Sequence, residues 1–183
     1  MLTWTQRSRI YEINTWVWLY ELSRRHKRHI HLGNVPAQDW DGLGLLGVEA
    51  VWLMGAWKQS PAGIAIANKN TGLQDEFHRV LPDFSQDDNV GSPYCVRRYV
   101  VDEHLGGPSG LAAARKQLAD RGMHLILDFV PNHVASDHPW VMEHPDYFIQ
   151  GSTDELIQKP GEFFQAGDTV LAPGERSILR ALA

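Results

Sequence analysis

The chain has 183 residues, 17 lysines and arginines against 22 aspartates and glutamates, and a formal charge of -5 with neutral histidines. This charge argues against a general nucleic-acid binder, and the 43% hydrophobic content indicates a folded domain rather than a disordered or collagen-like chain. A single cysteine, Cys95, excludes an internal disulfide and a thiolate metal cluster. At the start of the chain no apolar signal segment follows Arg9, and no stretch approaches the roughly 18 apolar residues of a membrane span, so we expect a cytoplasmic protein without a membrane partner.

The predicted elements follow the order strand, helix, strand, helix, strand. Residues 10–14 mix β-branched, aromatic and polar side chains and predict the first strand. Pro36 suits the first position of a helix whose apolar residues recur at helical spacing until Gly47 ends it. Residues 49–54 show almost no polar alternation, which is typical of a parallel strand covered on both faces.

A second helix begins near Pro108 and ends at Gly122, and residues 124–130 form the third predicted strand, closed by Pro131. Strands that alternate with helices predict a parallel sheet with right-handed crossovers. A complete eight-stranded α/β barrel usually needs about 250 residues, so this chain is too short for one.

Two regions carry less regular patterns. Residues 57–107 have mixed character and predict two short helices, and connections of that length are usually functional in a compact domain. After Pro131 the chain is polar, aromatic and turn-rich, and we expect no further strand-helix unit there.

Gly42, Gly44 and Gly47 match the G-x-G-x-x-G pattern that binds dinucleotide phosphates. That pattern requires a strand before the glycines and a helix after them, so that the pyrophosphate meets the helix N-terminus. Here a helix precedes and a strand follows. We therefore expect no nicotinamide cofactor.

Two further patterns have ordinary explanations. The basic residues 24–28 predict a solvated loop after the first strand rather than a phosphate contact, because no aromatic residue interleaves with them and the chain is acidic. His133, His138 and His144 raise the question of a metal, but their spacing matches no zinc signature and no cysteine assists them.

Asp128, Asn132 and His133 lie where the third predicted strand runs into its loop. In α/β barrels, polar residues at that end of a strand face the active site. A carboxylate, a carboxamide and an imidazole within six residues suit sugar hydroxyls or an oxygen-seeking cation such as calcium. A helix cap and turn cluster would use the same residue types, and the residues alone leave both interpretations open.

The segment from Asp128 to His133 resembles the first signature region of the alpha-amylase family of glycoside hydrolases, an Asp-x-x-x-Asn-His on the third barrel strand. Other segments resemble that family in the same order, so that the resemblance extends over about residues 8–170. They are the first strand at 10–14, the second strand and its approach at 45–54, the stretch 91–107 beginning Gly-Ser-Pro-Tyr, and the segments His-Pro-Trp at 138–140 and His-Pro-Asp-Tyr-Phe at 144–148.

The resemblance implies the fold and the substrate class. It implies an incomplete TIM (β/α)8 barrel, with the first three βα units in residues 1–133 and the start of the domain inserted after strand three in residues 134–172. An intact relative would hydrolyse or transfer α-glucosidic bonds with retention of configuration. The partner that this implies is an α-glucan or α-glucoside substrate.

The resemblance also implies roles for individual residues. Tyr94 would stack on the sugar ring whose bond is cut, His133 would donate hydrogen bonds to hydroxyls of that sugar, and Asp128 would be a structural or hydrogen-bonding carboxylate on the site floor. Asn132 matches the position that ligates calcium in many members, which leaves calcium as an open question. Cys95 departs from the family pattern, because many relatives have Asp after the tyrosine.

No catalytic residue is assigned within this chain. Retaining glycosidases need a nucleophile and an acid whose carboxyl groups lie about 5 to 5.5 Å apart. The resemblance implies that these groups follow the fourth and fifth barrel strands, with a supporting aspartate after the seventh, and these strands lie beyond this sequence. We expect the chain to be inactive alone; the alternatives are a non-catalytic α-glucan-binding module, or one half of a split glycosidase that a separate C-terminal chain completes.

The last residues depart from the family pattern. Relatives continue with Gly-Arg-Asp-Pro-Tyr-Phe and a Pro-Trp, whereas residues 174–183 read Gly-Glu-Arg-Ser-Ile-Leu-Arg-Ala-Leu-Ala. One permitted set of codons for residues 175–183, read one base later, encodes Arg-Asp-Pro-Tyr-Phe-Ala-Pro-Trp. We therefore expect a frameshift near Pro173 and an out-of-frame tail at 173–183, which sequencing of the coding DNA tests.

Overall fold

A computed structural model describes residues 8–172, and the tail expected at 173–183 lies outside them. The described residues form two compact units, 8–58 with 99–129, and 59–98 with 130–172. The strands are β1 Ile10–Asn14, β2 Ala50–Met54, β3 Trp57–Gln59, β4 Val96–Val101, β5 His124–Leu127, β6 Gln150–Gly151, β7 Phe164–Ala166 and β8 Thr169–Leu171. The α-helices are α1 Thr15–His26, α2 Ala37–Leu45, α3 Pro61–Lys69, α4 Thr71–Val80, α5 Gly107–Ala119, α6 Trp140–Glu143 and α7 Thr153–Gln158, with 3-10 turns at Gln86–Asp88, Glu103–Leu105 and Pro145–Tyr147.

The first unit is built on a three-stranded parallel sheet in the order β1, β2, β5. Ile13 pairs with Leu53, and Leu53 pairs with Leu127, so the strands run in register. The central strand has Ala50, Val51 and Leu53 fully buried, which explains why its sequence lacks alternation. The parallel α/β fold predicted from the sequence is therefore confirmed.

Helices α1, α2 and α5 supply the rest of this unit's core. Trp40 of α2 is fully buried, and its ring meets that of Trp18 edge to face at a centroid distance of 5.1 Å. Ala114 and Leu118 of α5 are also fully buried. The predicted helices α2 and α5 are thus held by apolar faces at helical spacing.

Helix α1 contradicts the expectation of a solvated loop at residues 24–28. Thr15, Leu19 and Leu22 are buried and lie on one helical face, and the Asn14 side chain caps the first turn. The helix extends to His26, so that the first part of the basic run forms its last turn, where positive charge interacts favourably with the helix dipole. The loop prediction failed because the many aromatic residues here masked the helical spacing.

Glycine conformations confirm two predicted helix ends. Gly47 has φ +64° and Gly122 has φ +73°, a left-handed region in which a side chain is strained. Pro36, predicted to be the first residue of α2, instead precedes it as the N-cap. Strand β5 ends at Leu127, three residues before the predicted end, because Asp128 leaves the strand to bind the backbone of β2's end.

The second unit contains the two short helices predicted between the second and third strands of the sequence, now α3 and α4. The expectation of no further strand-helix unit after Pro131 was wrong, because β6, β8 and β7 form a small antiparallel sheet in that order. Its strands have only two or three residues, too few to show a periodic pattern, and Gly167 turns the chain between β7 and β8. Val141 and Leu171 are buried in its core.

Strands β3 and β4 form a separate two-stranded sheet. Among the helices of residues 8–172, none has the length and apolar character needed to cross a membrane.

Candidate functional site

Asp128 closes the carboxyl end of the parallel sheet in the first unit. Its side chain accepts hydrogen bonds from the Trp52 indole, Nε1 to Oδ1 2.8 Å, and from the Gly55 backbone, N to Oδ2 2.6 Å. The residue is only 6% exposed. Both carboxylate oxygens therefore bind donors, one from the middle of β2 and one from the residue after this strand, and charge strengthens both bonds in this buried position.

Three tryptophans hold this end of the sheet together. The indole of Trp16 donates to the carbonyl of Gly55 over 3.1 Å, and that of Trp57 donates to the carbonyl of Asp128 over 2.8 Å. Trp52 binds the Asp128 side chain directly. Sequence reasoning missed these hydrogen bonds, although a partly buried indole N–H usually has a hydrogen-bond acceptor.

Tyr94 and His133 meet in the second unit. The Nε2 atom of His133 lies 3.2 Å from the backbone oxygen of Tyr94. Because a carbonyl only accepts, Nε2 carries the proton in this contact, which makes Nδ1 an acceptor in the neutral ring. Nδ1 is enclosed and has no hydrogen-bond partner among residues 8–172.

The structure thus brings together two of the residues that the sequence singled out. Tyr94 and His133 are in contact within the second unit. Asp128 belongs to the first unit, where Trp52 and Gly55 bind it.

The residues described around Asn132 do not fit a calcium site by themselves. Ca²⁺ takes six to eight oxygen ligands, whereas the exposed Asn132 supplies one amide oxygen. Within the described part of the chain, no group of three or more His, Cys, Asp or Glu side chains is arranged to hold a metal ion. His138 instead accepts from the Trp140 backbone, and His144 stacks on Tyr147.

A polar cluster that the sequence did not predict surrounds Asp137 in the second unit. Oδ1 of Asp137 accepts from the Ser60 hydroxyl over 2.6 Å, and Oδ2 forms an ion pair with Arg97, whose Nε lies 3.4 Å away. Ser60 is the N-cap of α3, and its own hydroxyl oxygen accepts from Gly63 N over 2.8 Å. The carboxylate therefore lies at the N-terminus of α3, where the helix dipole favours negative charge.

Two neighbours of this cluster have shifted pKa values. Burial raises the pKa of the Cys95 thiol, a hydrogen bond with Ser60 opposes that effect, and the negative Asp137 adds to it. Burial lowers the pKa of His138, as does the nearby Arg98. The neutral His138 ring matches its role as an acceptor, Trp140 N to Nδ1 3.1 Å.

Comparison with known proteins assigns the family. The family model described as "Alpha amylase, catalytic domain" matches residues 38–169, which include all but the first residue of α2, the sheet strands β2 and β5, and Tyr94, Asp128 and His133. The match covers most of the chain, which therefore belongs to the alpha-amylase family of glycoside hydrolases. A comparison with curated protein sequences gave no match.

Solved structures agree on the fold. Amy13B of Eubacterium rectale is 19% identical with a TM-score of 0.55, over 92% of this chain and 29% of that protein. An alpha-amylase from Lactobacillus plantarum is 18% identical with a TM-score of 0.52, over 91% of this chain and 32% of that protein. The maltogenic alpha-amylase AmyB from Thermotoga neapolitana is 19% identical with a TM-score of 0.54, over 94% of this chain and 33% of that protein. This chain spans about a third of the length of the structures that it resembles.

Proposed function

We propose that this chain forms the first three βα units of a (β/α)8 glycosidase barrel and the start of the domain inserted after the third barrel strand, and that it provides part of an α-glucan site. The whole enzyme would hydrolyse or transfer α-glucosidic bonds with retention. The observation that carries this proposal is the family match over residues 38–169, within which Asp128 directly follows the carboxyl end of the parallel strand β5.

Tyr94 and His133 are the sugar-contacting residues in this proposal. The Tyr94 ring, 36% exposed, would stack on the C–H face of a glucosyl ring. His133 would exchange the Tyr94 carbonyl for a sugar hydroxyl as the acceptor of its Nε2 proton, since both partners accept from the same atom. Asp128 would keep a structural role, because Trp52 and Gly55 engage both of its oxygens.

We further propose that the 183-residue polypeptide binds α-glucan without cleaving it. Cleavage with retention needs two carboxyl groups about 5 to 5.5 Å apart. The side chain of Asp128 already binds Trp52 and Gly55, and the resemblance gives the roles of nucleophile and acid to carboxylates of later barrel strands rather than to Asp128.

Titration of the purified chain with maltoheptaose, followed by calorimetry or NMR, tests binding. We expect binding that Tyr94→Ala and His133→Ala each weaken by about tenfold or more, while Tyr147→Ala, which removes an exposed tyrosine elsewhere in the same unit, leaves it unchanged. If the wild-type chain does not bind maltoheptaose, the proposed binding role is contradicted. Cleavage of starch or of nitrophenyl α-glucoside above background would contradict the absence of catalysis.

A second candidate is one half of a split glycosidase. Among the described residues, β1 and β5 are the outer strands of the parallel sheet, and Ile10 and Tyr11 of β1 are 52% and 44% exposed. Unpaired edges of this kind accept further strands. Co-expression with a polypeptide that carries the later barrel strands should give a co-purifying complex with glucosidase activity, and separate purification of the two chains would argue against this candidate.

A further inference from the structure

Two segments of the second unit run side by side at the predicted sugar site. His133 Nε2 donates to the Tyr94 carbonyl over 3.2 Å, and Ala135 N donates to the Val96 carbonyl over the same distance. A third contact follows at Asp137, whose backbone oxygen lies 3.4 Å from Arg97 Nε. The placement of His133 relative to Tyr94 is therefore set by how segment 133–137 is held against segment 94–97.

Asp137 fixes one end of this arrangement to a third element. Its carboxylate accepts from the Ser60 hydroxyl at 2.6 Å and pairs with Arg97 at 3.4 Å. Ser60 is 1% exposed and caps α3, so it has little freedom to move. The Asp137 side chain is 24% exposed, which leaves these charge-assisted bonds only partly screened by water.

We propose that Asp137 is a positioning residue for the α-glucoside site: it sets the spacing of Tyr94 and His133 by tying their two segments to the start of α3. This inference rests on the proposed function, because it takes Tyr94 and His133 as the residues that contact the sugar. Asp137 acts through the segment from His133 to Asp137 and through Arg97. Small errors in such spacing cost affinity because the sugar contacts depend on geometry.

The test uses Asp137→Asn, which keeps the size of the side chain but turns an NH₂ group towards one of its donors. Two matched variants control for charge and stability. Asp154→Asn makes the same charge change at an exposed position of the same unit. Asp39→Asn removes a buried carboxylate that binds Arg25 and His26 in the first unit, and so reports on general destabilisation.

The first readout is independent of sugar. In ¹H–¹⁵N NMR spectra of the histidine side chains, assigned with His133→Gln, the Nε2 proton of His133 should be protected from exchange in the wild type. We expect Asp137→Asn to abolish this protection and both controls to keep it. Protection that survives in Asp137→Asn would overturn the proposal, whether or not the chain binds maltoheptaose.

The second readout is affinity. We expect Asp137→Asn to bind maltoheptaose about tenfold more weakly than the wild type, with both controls unchanged. Equal losses in Asp137→Asn and Asp39→Asn would overturn the proposal by showing a general stability effect. If the wild type protects the Nε2 proton of His133 but binds no maltoheptaose, the proposed function is refuted and this arrangement does not serve a sugar. The NMR comparison then decides by itself whether Asp137 positions His133.

Discussion

The indole nitrogen of Trp52 donates to the carboxylate of Asp128 over 2.8 Å, although 76 residues separate them in the chain. Trp52 lies on the central strand β2 and Asp128 follows directly after β5. Together with the Gly55 bond, this contact joins the carboxyl ends of neighbouring parallel strands. The first residue of the family's signature segment therefore stabilises the sheet edge from which the following loop departs.

Replacing Asp128 by Asn should lower the free energy of unfolding by about 1 to 3 kcal/mol. Both carboxylate oxygens accept from buried donors, and an Asn side chain would present its NH₂ group to one of them. Urea unfolding followed by circular dichroism measures the change. Asp120→Asn, at an exposed position where the carboxylate pairs with Lys116, should cost no more than about 0.5 kcal/mol. Equal losses in the two variants would show that the Asp128 bonds do not stabilise the sheet.

Stability should fall on acidification in a way that depends on His138. Burial lowers the pKa of this ring below its usual 6.5, so the unfolded chain binds its proton more readily than the folded chain. Its contribution is therefore present above about pH 6.5 and is lost as the pH falls towards the lowered folded value. Protonation would also remove the acceptor for Trp140 N.

The variant His138→Gln isolates this effect, because its amide oxygen is able to accept from Trp140 N and does not titrate. Thermal unfolding of both proteins between about pH 7.5 and about pH 5 should show a steeper fall in Tm for the wild type. Parallel curves would mean that His138 does not contribute to the pH dependence of stability.

Cys95 should react slowly with iodoacetamide in the folded chain, because burial raises its pKa and the thiolate is the reactive form. Two variants should change the rate in opposite directions at conditions where the chain stays folded. Ser60→Ala removes a hydrogen bond that lowers the pKa and should slow the reaction, whereas Asp137→Asn removes a negative charge and should speed it. Rates that change in the same direction would show that local opening, rather than the pKa, controls reactivity.

An element or contact could be predicted from the sequence where the residues that form it lie close together in the chain. Strand β2 and helices α2 and α5 were predictable because a local apolar pattern and a nearby glycine define each of them, and β1 was predictable from its β-branched and aromatic residues. The contact between Ser60 and Asp137 was not predictable, since 77 residues separate them and both are ordinary cap and loop residues. The signature segment likewise indicated Asp128 as a site residue, but not that Trp52 and Gly55 would occupy both of its oxygens.

Substitutions at glycines test whether the G-x-G-x-x-G pattern lies in a helix, which is incompatible with a dinucleotide-binding turn. Gly42 lies inside α2, and a methyl group at this position would meet nothing within 4 Å, so Gly42→Ala should stabilise the chain by about 0.5 to 1 kcal/mol. Gly122 has equally open surroundings but a φ of +73°, so Gly122→Ala should lower the free energy of unfolding by about 1 to 2 kcal/mol. Urea midpoints of the two variants should therefore move in opposite directions. A destabilised Gly42→Ala variant would contradict a helical position for Gly42 and would favour a phosphate-binding turn at Gly42, Gly44 and Gly47.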